Sequence, residues 1–289
     1  MKLSVVVISY CMNRELPRTV FTLSAKGQLD IDEADYEIIV VDNASPEPPD
    51  EVALKAICPN LQLVCLSEPD VSPVRAINTG LALAKGDLIC VMIDGARMAS
   101  PRMLATALEA AAGRERPVIG TYAFHLGPTA QMTSVLQGYC QDVEDALLAT
   151  VDWQSDGYCL FDISAWAGSS SRGWFTLPAE TNALFLSRSH WEELGGYDER
   201  FKAKGGGLVN LDIWARLCAD FQPVMLLGEA TFHQFHGGVA TNAKVSPYNI
   251  FHEEYVQIRG HPFVRPSAPS TLFGRPHRKC FPTIRSSMA

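Results

Sequence analysis

The chain has 289 residues, 47% of them hydrophobic, with a formal charge of −8 and a pI of about 5.4. That length is ample for one sizeable core, and the acidic balance excludes a basic face for nucleic acid. Eight cysteines are scattered with no C-x-x-C pair, several of them, such as Cys65 and Cys90, inside apolar runs. This usage reads as reduced, buried thiols of a cytoplasmic protein. The start, MKLSVVVISYC, carries one lysine and a short apolar run that reads as a strand, hence as neither signal peptide nor membrane span.

In chain order, strands are expected at 3–9 (LSVVVIS), 36–41 (YEIIVV), 61–66 (LQLVCL) and 88–93 (LICVMI). Helical spacing separates them, through Leu16, Val20 and Leu23, then 52–57, then 74–84. Fourfold alternation within the first hundred residues predicts a parallel, doubly wound α/β sheet with right-handed crossovers. The second half continues with a strand at 117–124 and a helix over 130–149, whose face is Val135, Leu136, Tyr139, Val143, Ala146 and Leu147. Trp153, Tyr158, Trp166 and Trp174 then surround the Gly/Ser-rich run 167–173. Two readings stand for this tract, a mobile lid with sugar-stacking aromatics or plain core packing. A strand at 181–187 and a short helix capped by Ser189 and ending at Gly195-Gly196 come next. Three consecutive glycines at 205–207 allow close backbone approach to a ligand. The run NLDIWARLCADF (210–221) has helix spacing, with Asn210 as its cap and Asp212 in its first turn. From His261 onward prolines cluster, and the basic residues Arg259, Arg265, Arg275, Arg278, Lys279 and Arg285 accumulate. Mostly extended structure is expected there, with contact to an anionic membrane surface as an alternative use.

The turn after the first strand, Ser9 to Asn13, has no glycine, and no G-x-x-x-x-G-K-[ST] run occurs. A dehydrogenase fingerprint and a P-loop are thereby excluded. Instead, Asp42 and Asp94 stand at the carboxyl ends of two strands, the edge where open α/β sheets bind ligands. The competing reading of Asp94 is a turn-forming Asp-Gly pair.

The pieces VVVISY (5–10), EIIVVDNAS (37–45), RAINTGLALAKGDLICVMID (75–94), LGGYDERF (194–201), NLDIWARL (210–217) and TFHQFHGG (231–238) occur in one order over roughly the first 240 residues. In this the chain resembles a family 2 glycosyltransferase with the GT-A fold. The resemblance implies a GT-A domain over 1–240, with a nucleotide-binding lobe at 1–116, an acceptor lobe at 117–240, and a Pro/Arg-rich extension at 241–289. It further implies a nucleotide-diphosphate sugar as donor and a saccharide or other hydroxyl as acceptor. Asp42 then meets the edge of the base, with Ser9 and Tyr10 as the adjacent wall, and Arg75 meets the diphosphate. As an ordinary helix residue, Arg75 is simply solvated.

At the metal motif the chain departs from the family's D-x-D and reads Asp94-Gly95-Ala96-Arg97. A divalent cation, Mn or Mg, remains compatible with Asp94, substrate phosphates and a histidine. His233 and His236 are the candidates, His233 first, because i and i+3 on an extended strand face opposite ways; structural histidines are the alternative. Arg97 is the rival for neutralising the diphosphate, or else a strand-exit residue pointing into solvent. Where the family has an E-D pair, only Asp212 survives. It is the candidate catalytic base, with Glu180 and Asp198 next, and its other reading is a helix residue orienting Arg216 at i+4. The same words resemble the G-G-E-N-L-E run of polypeptide N-acetylgalactosaminyltransferases, which leaves inversion or retention open. The expected activity is sugar transfer from a nucleotide sugar to a hydroxyl. The alternatives are a sugar nucleotidyltransferase, whose basic glycine-rich first loop is missing, and a non-catalytic nucleotide-sugar-binding module. The expected location is cytoplasmic, with peripheral contact to the inner face of a membrane through the tail as a further option.

Overall fold

The computed structural model describes residues 2–239, 241–242, 245 and 247–288. Its strands are β1 (Leu3–Ser9), β2 (Tyr36–Asp42), β3 (Leu61–Cys65), β4 (Leu88–Met92), β5 (Arg97–Ala99), β6 (Val118–Leu126), β7 (Ser164–Trp166), β8 (Ala183–Ser187), β9 (Val224–His233) and β10 (Thr271–Phe273). The helices are α1 (Leu16–Leu23), α2 (Glu51–Ile57), α3 (Val74–Leu83), α4 (Met103–Ala111), α5 (Gln131–Ser134), α6 (Gln141–Leu148), α7 (Arg188–Leu194), α8 (Val209–Asp220), α9 (Tyr248–Arg259) and α10 (Phe281–Ser286).

One mixed sheet carries them in the order β10-β9-β6-β8-β4-β1-β2-β3, with β5 on β9 and β7 on β6. Every residue of β1, β2 and β4 is buried, and their alternation divides the core in two. Val6, Ile8, Ile39 and Val41 face α3, α8 and the aromatic cluster, while Val5, Val7, Ile38 and Val40 face α1 and α4. Each such aliphatic side chain contributes ~1.5–3 kcal/mol on burial, so a sheet covered on both faces is the favourable arrangement for these runs. Gly80 is required by this packing, because a Cβ there would lie 2.3 Å from Val6 Cγ1.

Strands β2 and β4 flank β1 in parallel, so the order reverses there, and the edge beyond their carboxyl ends is where open α/β sheets bind ligands. Strand β8 runs antiparallel to both β4 and β6, and β9 is parallel to β6. The carboxyl ends of β4, β6 and β9 therefore share one edge with the start of β8. Asp94, His125, His233 and Glu180 are collected there from positions far apart in sequence.

Several local expectations are corrected. The helix expected over 130–149 is broken, since Gly138 sits at φ +92° and splits it into α5, a 3-10 turn and α6. The break rotates the expected face, leaving Leu136 and Val143 exposed and burying Glu144 instead. Ser187, not Ser189, caps α7 by accepting from His190 N at 3.3 Å. Asn210 lies inside α8 and caps nothing there, its amide being drawn to Glu180 and Thr181. Glycines 205–207 all have positive φ and turn the chain tightly against Pro73, Val209 and Glu254. Cys90 is buried as expected, but Cys65 is exposed because β3 is the sheet edge.

The tract 167–173 is core-linked. Trp174 is fully buried, Trp166 stacks on Phe124 at 4.2 Å, and Ser170 Oγ accepts from Ala123 N at 3.0 Å. The C-terminal segment clamps it further. Arg265 Nη2 donates to Ser169 O at 2.8 Å and Trp174 Nε1 donates to Thr283 Oγ1 at 2.9 Å. That segment also adds β10 beside β9, so it is less extended than its proline content suggests. Arg259, Arg265 and Lys279 are engaged within the fold, the last with Asp162. Among the described residues, no helix is long and apolar enough to cross a membrane.

Candidate active site

Strand β4 ends at Met92, and Asp94 follows in the turn before β5. Its Oδ1 accepts from Ala96 N at 3.0 Å and its Oδ2 from Arg97 Nε at 2.8 Å. Arg97 therefore does not leave toward solvent. It is 6% exposed, pairs in register with His233 across β5 and β9, and keeps a buried Nη1 with no hydrogen-bond partner among the described residues. This placement was hidden in the sequence because the three-residue β5 has no pattern of its own.

Both histidines reach Asp94. Strand β9 stops at His233 and the chain turns, so His236 folds back, and the ligand atoms of Asp94, His233 and His236 all lie within 4.8 Å of one another. The expectation that only one histidine faces the site assumed that the strand continued. His233 Nε2 is 4.0 Å from Asp94 Oδ2. Burial and the Arg97 charge hold His233 well below the ordinary histidine range, and burial also lowers His236, so both imidazoles offer lone pairs at neutral pH. One carboxylate and two neutral imidazoles form a donor set suited to a divalent cation.

The turn is held from behind by residues that the sequence did not signal. Phe235 N donates to Glu144 Oε2 at 2.7 Å, and Phe235 O accepts from Arg14 Nη1 at 3.2 Å. Glu144 is fully buried, and burial raises its carboxyl to about 7. A glutamate on a short helix resembles a solvated surface residue in a sequence, so nothing in the sequence marks Glu144.

Three carboxylates were candidate bases, and the structure separates them. Asp212 is fully buried and accepts from Arg259 Nε at 2.6 Å, Arg259 Nη2 at 2.7 Å and Arg216 Nε at 3.0 Å. A carboxylate whose oxygens are occupied by two guanidinium groups ties α8 to α9, and its contact with Arg216 is the i+4 pair of the alternative reading. Asp198 is likewise ion-paired, and its hydrogen bonds with Arg200, together with Arg259, depress its pKa. Glu180 differs. It accepts from Asn210 Nδ2 at 2.9 Å, and among the described residues no cation pairs with it. Burial raises its pKa above the usual carboxylate range, the Asp94 charge acts the same way, and Asn210 and Arg97 oppose both.

On the nucleotide side, Asp42 ends β2 as expected but is fully enclosed. Its oxygens accept from Ser45 N and Ser45 Oγ, each at 2.7 Å, so the carboxylate first organises its own loop. Ser45 Oγ in turn accepts from Cys11 N at 2.8 Å, which joins the loops after β1 and β2. Tyr10 is 45% exposed beside them, and Ser9 Oγ is buried with no partner among the described residues. Arg75 is exposed on α3 and donates to Glu68 O.

The model of glycosyltransferase-like family 2 matches residues 6–233, most of the chain. The chain belongs to glycosyltransferase-like family 2. Solved structures of Staphylococcus aureus TarS share the fold. The TarS 1–349 structure aligns at TM-score 0.50 and 14% identity, covering 89% of this chain and 64% of that one. TarS 1–349 in complex with UDP-GlcNAc aligns at TM-score 0.53 and 16% identity, over 89% and 65%. A longer TarS chain aligns at TM-score 0.52 and 14% identity over 82% and 37%. This family 2 chain thus spans less than two thirds of the length of these relatives, and no curated protein sequence matches it.

Proposed function

We propose that the chain transfers a sugar from a nucleotide-diphosphate donor to an acceptor hydroxyl, with inversion. The observation that carries this reading is the convergence of Asp94, His233 and His236 at the carboxyl edge of a family 2 sheet, with Glu180 on the same edge. The base of the donor lies against Tyr10 and Ser9 and the loop organised by Asp42, and Arg75 and Arg97 face the diphosphate. Asp94, His233 and His236 would hold a divalent cation, and two imidazoles would favour manganese over magnesium. When bound, the cation supplies charge neutralisation for the departing diphosphate.

Glu180 accepts the acceptor's hydroxyl proton as the acceptor oxygen bonds to the anomeric carbon and the bond from that carbon to the diphosphate oxygen breaks. A base is needed only if the proton leaves as the bond forms, and the raised Glu180 pKa moves it toward the pH at which it operates. Asn210 fixes the carboxylate's rotamer. UDP-linked sugars, N-acetylhexosamines among them, are the first donors to test because the TarS relative was solved with UDP-GlcNAc.

The test is calorimetric titration with a panel of nucleotide diphosphates in Mn²⁺, followed by release of the nucleotide from matching sugar nucleotides. Binding together with slow donor hydrolysis is expected. A panel that binds with no turnover, with or without saccharide acceptors, supports a binding module instead, and no binding at all refutes the reading.

A further inference from the structure

Gln131 is the fully buried first residue of α5 and is linked to both candidate histidine ligands, to His233 directly and to His236 through Asn242. Its backbone N donates to His125 Nδ1 at 2.8 Å. Its side-chain nitrogen faces two carbonyls, Leu126 O at 3.3 Å and His233 O at 3.0 Å, and also Glu144 Oε2 at 3.5 Å. Carbonyls only accept, so the orientation of the amide is settled, and Oε1 must be the atom that meets His233 Nδ1 at 2.7 Å. An amide oxygen accepts and does not donate. Nδ1 of His233 therefore carries its proton, and the lone pair of the neutral ring lies on Nε2, the nitrogen nearest Asp94.

The same Oε1 accepts from Asn242 Nδ2 at 2.9 Å, while Asn242 Oδ1 accepts from His236 N at 3.2 Å and Gly238 N at 3.1 Å. Two backbone N–H groups settle the Asn242 amide as the two carbonyls settle that of Gln131. A chain of two carboxamides thus runs from the ring of His233 to the backbone of His236.

We infer that Gln131 is a positioning residue for the cation site, setting the His233 tautomer with its free lone pair toward Asp94 and holding His236 through Asn242. The inference rests on the proposal that Asp94, His233 and His236 bind a divalent cation. Hydrogen bonds of this kind, behind a ligating imidazole, change metal affinity by ~10–100-fold when removed.

Two measurements test it on the full chain. Long-range ¹H–¹⁵N correlation spectra of metal-free protein, with His233 assigned by comparison with His233→Ala, report the tautomer directly and need no variant at Gln131. The Nδ1–H form is expected, and an Nε2–H form overturns the inference. Titration with Mn²⁺ alone then compares the native chain with Gln131→Leu, using metal-free UDP binding as the control. Expected is a loss of Mn²⁺ affinity of ~10–100-fold with UDP binding retained. Equal Mn²⁺ affinities in the two proteins overturn the inference and leave the cation proposal standing. A native chain that binds no Mn²⁺ overturns both. If Gln131→Leu does not fold, the tautomer spectrum of the native chain decides.

Discussion

Replacing Arg97 by methionine separates two ways of neutralising a departing diphosphate. The guanidinium Nε lies 2.8 Å from Asp94 Oδ2, the same oxygen that lies 4.0 Å from His233 Nε2. A divalent cation held by Asp94, His233 and His236 must therefore share or displace that contact. The gross attraction of unit charges about 4 Å apart is ~4 kcal/mol at an effective dielectric constant of 20. A hydrogen bond to a charged group contributes less in net terms, ~1.5–3 kcal/mol. The Asp94 side chain is 20% exposed, so solvent screening argues for the lower end. Arg97→Met is then expected to tighten Mn²⁺ binding in the absence of nucleotide by about tenfold, since ~1.4 kcal/mol corresponds to that factor. In the presence of Mn²⁺, UDP binding should weaken, because the variant has lost a donor to the diphosphate. Isothermal titration in the two formats reads both signs. An unchanged or weaker Mn²⁺ affinity in a folded Arg97→Met protein refutes the competition, and makes the Asp94–Arg97 pair a purely structural one.

The candidate bases part company under conservative substitution: Glu180→Gln should lower turnover by ~10²–10⁴-fold with donor affinity and urea midpoint near native. Asp212→Asn should instead lower stability by ~3–5 kcal/mol, the scale for breaking a buried ion pair, and a variant with native stability and abolished turnover would restore Asp212 as base. For the nucleotide side, Asp42→Ala should weaken nucleotide diphosphate binding by ~1–3 kcal/mol through loss of the Ser45 loop, measured by calorimetry, and unchanged affinity would move the base pocket elsewhere. Acid stability follows from His125, whose pKa burial lowers to about 3. Because the folded value lies below the unfolded one of ~6.5, its contribution is fully present above pH 6.5 and is lost as pH falls toward 3, by up to ~1.4 kcal/mol per pH unit. In urea titrations at pH 7, 5.5 and 4.5, the stability gap between native protein and His125→Gln should narrow on acidification, and a constant gap contradicts a buried neutral His125.

The sequence alone carried the parallel half of the molecule. Apolar runs such as LSVVVIS and YEIIVV can be satisfied only by a sheet covered on both faces, and carboxylates at their ends have only the open edge to occupy. That reasoning is local, and it located Asp42, Asp94 and the helices between them. It also found His233 and His236 by residue type, yet mistook their relation, because where β9 ends is decided by its pairing with β5 and β6. Glu180 and Asp212 show the limit more sharply. Both are acidic residues in recognisable words, and nothing within several residues of Asp212 announces that Arg259, from a helix beginning at Tyr248, will occupy its carboxylate. Gln131 is the extreme case, a polar residue on a four-residue helix whose contacts with His233 and Asn242 exist only once β6 and β9 lie side by side. Burial pattern and chain-end chemistry are properties of neighbours in sequence, whereas the protonation and availability of a side chain depend on neighbours in space, and those are chosen by the packing of the whole sheet.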